Sequence, residues 1–191
     1  MSENKQALRE QARKHRASMN PFLEDPEHAS DLFFETIKPD QKKVIASYCP
    51  KGKEFDALCV LEEGIEKGHQ TVLPVIQKDS RILRFHTWKK QTSMKANKYG
   101  IEEPVDSEEL IPDIIIVPLL AFDRKGTRLG QGGGYYDATL KHLREQKDVL
   151  AVGMAYSTQA VLFNLPREDH DEPLDWVITP KQAHYFERET S

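Results

Sequence analysis

Ile114-Ile115-Ile116-Val117-Pro118-Leu119-Leu120-Ala121-Phe122-Asp123 runs directly into Arg124-Lys125-Gly126-Thr127-Arg128-Leu129-Gly130-Gln131-Gly132-Gly133-Gly134-Tyr135-Tyr136-Asp137. The first four residues are β-branched with no polar alternation, the pattern of a strand covered on both faces. Helices must then lie on both sides of a largely parallel sheet, so the fold class is α/β. After this strand, four glycines in the five positions 130–134 lead into a helical pattern that starts at Tyr135. The stretch therefore places a helix N-terminus beyond the carboxyl end of a buried strand, where α/β proteins bind ligands.

Outward from this stretch, Val44–Tyr48, Thr71–Ile76, Ile82–Phe85, Val149–Met154 and Trp176–Thr179 read as further strands. Helices are expected over Ser2–Ser18, capped by Ser2 and stopped by Asn20-Pro21, and over Phe55–Lys67 and Tyr135–Gln146. Another should follow Asp25, with Asp25 as N-cap and Pro26 in the first position. Two longer polar stretches, Thr87–Pro112 and Asn164–Asp175, interrupt the alternation, and loops of that length are often functional. With no repeat and no low-complexity segment, residues 1–191 read as a single domain.

Composition narrows the partners. Against 31 acidic residues stand 27 Lys and Arg, a net charge of −4, which creates no global field for nucleic acid or anionic lipid. The longest apolar run, Ile114–Phe122, is nine residues, whereas a membrane span needs roughly 20. A polar N-terminus without an apolar signal region makes the cytoplasm the expected location. Cys49 and Cys59 form no CxxC pair, the seven histidines show no zinc spacing, and no GxSxG elbow occurs.

Neither GxGxxG nor GxxxxGK[ST] fits the glycine segment, so a dinucleotide site and a P-loop are disfavoured. Two readings remain: a flexible turn, or a phosphate cradle built from a helix N-terminus, with Arg128 adding a bidentate contact. Asp137, in the first turn of the helix, is either a dipole partner or a Mg²⁺ ligand beside phosphate. Lys5, Arg9, Arg13 and Arg16 share one helical stripe, which is either a solvated face or a lid over a polyphosphate. Without aromatic residues between these cations, an RNA-binding role is the weakest alternative.

These segments resemble the 5-formyltetrahydrofolate cyclo-ligase (5,10-methenyltetrahydrofolate synthetase) family. The resemblance is carried by Lys5-x-x-Leu8-Arg9, by Tyr48 with Glu54 six residues later, and by Tyr99-Gly100-Ile101-x-Glu103-Pro104. Pro118–Asp123 with Arg128–Asp137 is its diagnostic core, completed by Leu165-Pro166, His170-Asp171 and Val177–Thr179. It implies ATP- and Mg²⁺-dependent cyclisation of 5-formyltetrahydrofolate to 5,10-methenyltetrahydrofolate, with ADP and phosphate released through a phosphorylated formyl intermediate. It also implies a three-layer α/β/α sandwich like that of glucosamine-phosphate isomerases, ribose-phosphate isomerases and CoA transferases. The charge and apolar pattern leave no nucleic-acid or membrane partner expected, and a monomer is the expected state although the sequence does not fix it.

By match to the family, Lys5, Arg9 and the loop Arg128, Leu129, Gly130, Gln131, Gly132, Gly133, Gly134, Tyr135 and Tyr136 bind ATP. Tyr48, Cys49, Glu54 and Tyr99, with Gly132 to Tyr135, border the folate. Asp137 and Asp171 are the magnesium positions, and Arg128 and Asp137 carry the catalysis. The chain departs from many relatives in having Gln131 where they carry Arg and Gly133 where they carry Lys, which moves phosphate neutralisation onto Arg128, the loop amides, the N-terminal stripe and Mg²⁺. The alternative from another class is a phosphate-binding sensor on the same scaffold, which would need no metal carboxylate at position 137.

Overall fold

The computed structural model describes residues 3–20, 23–40 and 42–188. Helices α1 (Glu3–Ser18), α2 (Pro26–Ile37), α3 (Leu58–Glu66) and α4 (Tyr135–Arg144) accompany strands β1 (Val44–Ala46), β2 (Gln70–Val75), β3 (Arg84–Thr87), β4 (Met94–Ala96), β5 (Glu102–Pro104), β6 (Ile114–Val117), β7 (Ala121–Phe122), β8 (Arg128–Leu129), β9 (Leu150–Met154), β10 (Trp176–Ile178) and β11 (Ala183–Tyr185). The Ser2 cap and the Pro21 stop expected for α1 lie outside the described residues.

Seven strands form one sheet in the order β11-β10-β9-β6-β1-β2-β3. Its middle is parallel, from β10 through β9, β6 and β1 to β2, and the edge strands β3 and β11 are antiparallel. Each parallel strand sends alternate residues to two cores. Ile45, Ile114, Ile116, Val152 and Ile178 pack with Phe33, Phe34, Val60 and Leu61 of α2 and α3. Ala46, Ile115, Val117, Ala151 and Val177 pack with Leu140 and Leu143 of α4. The unalternated run at 114–117 is thus apolar because β6 is buried on both faces of a three-layer α/β/α arrangement.

Local signals account for most element ends. The Asp25 carboxylate accepts from the Glu27 amide at 3.0 Å, Pro26 opens α2, and Lys38 closes it in the left-handed region at φ 46°. Asp25→Ala is expected to cost about 1 kcal/mol, read as a lower urea midpoint at unchanged m-value. At the entry to β6, the half-buried Asp113 carboxylate accepts from the Val44 amide at 2.8 Å and from Lys147 Nζ at 2.7 Å. Burial alone would raise that carboxyl, but the Lys147 and Val44 hydrogen bonds with the Lys147 and Lys43 charges hold it below its ordinary value. The group therefore contributes stability above the ordinary aspartate range, and that contribution is lost as pH falls through the depressed value. Asp113→Asn should be about 1 kcal/mol less stable than the parent at pH 7, a gap that closes in acid, as followed by urea unfolding across pH.

Three expectations shift. The strand anticipated at Ile82–Phe85 begins at Arg84 instead, because the Leu83 amide is taken by Thr139 Oγ1 of α4 at 2.9 Å and the Ile82 amide by Ser80 Oγ at 3.0 Å. The polar stretch Thr87–Pro112 contains the β4–β5 hairpin. The segment between β6 and the glycines is another hairpin, β7–β8, so Arg128 and Leu129 belong to a strand where a turn was expected.

Candidate active site

A cleft of about 670 Å³ opens at the carboxyl ends of the parallel strands. Tyr48 and Cys49 enter it just past β1, Pro74 and Ile76 at the end of β2, and Pro118 just past β6.

The β7–β8 hairpin sets one wall. Asp123, almost fully buried, accepts through Oδ1 from the Lys125 and Thr127 amides at 2.9 and 3.0 Å and through Oδ2 from the Leu165 amide at 2.8 Å. A tight Asx-type turn results, and it delivers Arg128 to the cleft. The Arg128 guanidinium is nearly inaccessible and donates to Asp137 Oδ1 and to the Glu172 carbonyl. Leu129, the next residue, does not line the cleft. Its side chain is buried with Ala121 and Leu165, and Leu8 of α1 packs on that cluster.

The glycine segment shapes the floor. Gly134 caps α4 with φ 69° and no side chain satisfies the first turn, so the leading amides of α4 are available to an anion. Gly132, at φ 99°, leaves 3.3 Å between a hypothetical Cβ and the Arg9 guanidinium. Gly130 has neither constraint: its φ is unstrained and a Cβ there would meet nothing within 4 Å. The chain itself does not need glycine at 130, but a ligand lying on the backbone would.

Helix α1 closes over this floor with its basic stripe. Lys5, only 2% exposed, bonds Glu168 at 3.2 Å and Asp171. Arg9 donates to the Gly130 carbonyl at 3.0 Å, and Arg13 donates to the Gln131 side chain and carbonyl at 3.2 and 3.0 Å. Arg16 reaches Glu54 at 3.4 Å. Arg9 and Arg13 thus pack on the glycine loop, while Lys5 is tied to Glu168 and Asp171 and Arg16 to Glu54.

Glu54 sits between α1 and the glycine loop, accepting from the Lys51 amide at 3.0 Å and from Gln131 Nε2 at 2.9 Å. Tyr48 spends its hydroxyl on the Phe55 carbonyl at 2.7 Å, leaving its ring as wall. Burial, reinforced by the negative charges of Glu102, Asp56 and Glu103, pushes the Cys49 thiol up to about 11, so it is a neutral lining group and no nucleophile. Tyr99 is held by Asn97 Oδ1, which accepts from its amide at 2.8 Å, and its hydroxyl lies 3.2 Å from that of Tyr135.

Two aspartates face the cleft with one oxygen engaged. Asp137 uses Oδ1 for both Arg128 and the Glu172 amide, and Oδ2 has no partner among the described residues. Asp171 uses Oδ2 for Lys5 and the Glu168 amide, with Oδ1 4.0 Å from His170 Nε2. Burial would raise the Asp171 carboxyl, but the Lys5 and Glu168 hydrogen bonds and the Lys5 and His170 charges hold it below its ordinary value, so it is ionised at neutral pH. Glu168, His170 and Asp171 bring ligand atoms within 4.8 Å of one another. The carboxylate oxygens of Glu168 and Asp171 are hard donors that suit Mg²⁺, the His170 nitrogen is not, and Asp137 lies outside this cluster.

A sequence model described as the 5-formyltetrahydrofolate cyclo-ligase family matches residues 1–180. The chain belongs to this family. It is accordingly a ligase of folate one-carbon chemistry. The 5-formyltetrahydrofolate cyclo-ligase of Haemophilus influenzae is 34% identical over 185 residues, covering 91% of this chain and 96% of its own. That of Escherichia coli K12 is 37% identical over 136 residues, 68% of this chain and 74% of its own. Among solved structures, 5,10-methenyltetrahydrofolate synthetase from Aquifex aeolicus superposes with a TM-score of 0.78 at 28% identity, covering 98% of this chain and 95% of its own.

With the exception of Leu129, every residue that the cyclo-ligase resemblance implied for ATP, folate or metal lines the one cleft: Lys5, Arg9, Arg128, Gly130 to Asp137, Asp171, Tyr48, Cys49, Glu54 and Tyr99. Glu103, Asn97, Glu168 and Arg81 also line it without having been singled out. Glu103 carried a signal in its motif, and its role is structural: Oε1 accepts from the Ile76 amide at 2.9 Å and from Asn97 Nδ2 at 2.7 Å, tying the β4–β5 hairpin to β2. Arg81 lies in an ordinary polar connection and carried no signal at all.

Proposed function

We propose that the cleft holds ATP against the α4 N-terminus and 5-formyltetrahydrofolate against Glu54 and Tyr99, and joins formyl carbon to N10 where the two meet. The overall reaction converts 5-formyltetrahydrofolate and ATP to 5,10-methenyltetrahydrofolate, ADP and phosphate. A formyl amide oxygen is a very poor leaving group. It first attacks the γ-phosphorus and ADP departs; N10 then adds to the activated carbon, losing its proton, and the oxygen leaves as phosphate. The protein's share is placement and charge neutralisation, as in other phosphoryl transfers.

The observation that carries this reading is the convergence of Lys5, Arg9 and the buried Arg128 on an uncapped helix start whose Gly130 leaves room that no protein atom uses. Arg128, clamped by Asp137 and the Glu172 carbonyl, is oriented before any ligand arrives and needs no reorganisation to meet phosphate oxygens. Glu54 is the acceptor for the amino and ring N–H groups of the pterin, and Gln131, bonded to it, links the nucleotide loop to the folate side. Asp137 and Asp171 would hold Mg²⁺ through the oxygens the protein leaves open, and the ion when bound supplies further neutralisation of the phosphates. The residues assigned to ATP, folate and Mg²⁺ come from a single chain, and the proposed working unit is a monomer. No helix among the described residues is long and apolar enough to cross a membrane, and the proposed location is the cytoplasm.

Mixing the protein with 5-formyltetrahydrofolate, ATP and Mg²⁺ should yield the near-ultraviolet absorbance of the methenyl product, and omission of any one should abolish it. ATP binding without product under all conditions would favour the sensor reading instead.

A further inference from the structure

Arg81 lines the cleft with no hydrogen-bond or ion-pair partner among the described residues. The other Lys and Arg side chains on its wall are all engaged: Lys5 with Glu168 and Asp171, Arg9 with the Gly130 carbonyl, Arg128 with Asp137. An uncommitted guanidinium at a ligand cleft is a ready fork for a carboxylate or phosphate.

Its position is built. Ser80 Oγ takes the Ile82 amide at 3.0 Å, the Leu83 amide donates to Thr139 Oγ1 at 2.9 Å, and that hydroxyl donates to the Tyr135 carbonyl at 2.7 Å. The β2–β3 connection is thereby pinned to the first turn of α4. A Cβ on Gly134 would stand 3.6 Å from the Arg81 guanidinium, which places that group at the helix cap beside Tyr135. Tyr135 meets Tyr99 edge to face, ring centroids 6.4 Å apart, and both are on the cleft wall.

Resting on the cyclo-ligase reading, the folate must place a pterin, a p-aminobenzoyl ring and then a glutamate whose carboxylates are its anionic groups. A pair of tyrosine rings followed by a free guanidinium matches that order of ring then carboxylate. The phosphates of ATP already have Lys5, Arg9 and Arg128, which approach from α1 and the β7–β8 hairpin, whereas Arg81 comes from the β2–β3 connection. We propose that Arg81 is a specificity-determining residue that binds a carboxylate of the glutamate end of the folate at the rim of the cleft.

The test compares KM for 5-formyltetrahydrofolate with KM for 5-formyltetrahydropteroate, which lacks the glutamate, in the parent protein and in Arg81→Gln and Arg81→Lys, with the KM for ATP measured against each. The parent should prefer the glutamate-bearing substrate about tenfold or more, the preference should fall to near one in Arg81→Gln, and Arg81→Lys should restore part of it. An unchanged preference in Arg81→Gln overturns the proposal. So does a rise in the KM for ATP of equal size with both folates, which would assign Arg81 to phosphate. If the parent turns over neither folate, the ring-closing reading itself fails, a result separate from loss of the preference.

Discussion

Asp137→Asn is expected to lower kcat about a thousandfold while ATP still binds. The substitution is nearly isosteric and keeps an oxygen for the Arg128 and Glu172 contacts, so the hairpin and the helix start should stay in place. What it removes is the charge with which Oδ2 would hold Mg²⁺ in the proposed reading, and which balances the buried guanidinium. Loss of one preorganised electrostatic element in a dry site costs on the order of 10²–10³ in rate, and here metal and Arg128 orientation are affected together. The distinguishing readout is the Mg²⁺ dependence: half-saturation should move upward at least tenfold on the residual activity. Turnover at the parental level would remove Asp137 from any metal role.

Arg128→Lys should reduce kcat/KM by about a hundredfold or more, although the charge is conserved. Arg128 makes two directed contacts, to a carboxylate and to a main-chain carbonyl, and still presents its guanidinium to the cleft. A lysine can place a point charge near one of these partners and cannot reproduce the planar fork. Arginines that neutralise a transferring phosphoryl group contribute factors of about 10³ or more, and a retained but misplaced charge recovers part of that. Because the residue is buried, the variant should also lose stability. Thermal unfolding with and without ATP separates the effects: a catalytic role predicts that saturating ATP and folate leave kcat low, whereas a folding defect alone would be relieved by ligand.

Much of this was legible because the informative residues cluster in the chain. The run Ile114–Val117 announces a doubly covered strand, and the two core clusters on either side of β6 are the reason no polar residue is tolerated there. The glycine run announces a close approach of something to the main chain, and only the coordinates separate the glycines required by backbone geometry, 132 and 134, from Gly130, which is required by neither φ nor neighbours. The hairpin β7–β8 was invisible since two-residue strands carry no periodicity, and the Asp123 turn that makes it draws on Leu165, far away in the chain. Cys49 and Tyr48 carried no chemistry of their own in the sequence, and the structure makes them wall.

The amino-acid sequence by itself determined the α/β class, the helix start at Tyr135 and the residue types that handle anions, since each depends on local periodicity, capping and charge within a few turns of chain. Tertiary structure alone decided what the N-terminal cations do. Lys5, Arg9, Arg13 and Arg16 are a solvated stripe on any isolated helix. Lys5 and Arg9 become cleft wall because α1 docks on the glycine loop more than 100 residues later, and the four cations exchange water for Asp171, the Gly130 carbonyl, Gln131 and Glu54. The same holds for Arg81, whose lack of a hydrogen-bond or ion-pair partner among the described residues is a property of the folded surroundings and of nothing in its neighbours along the chain.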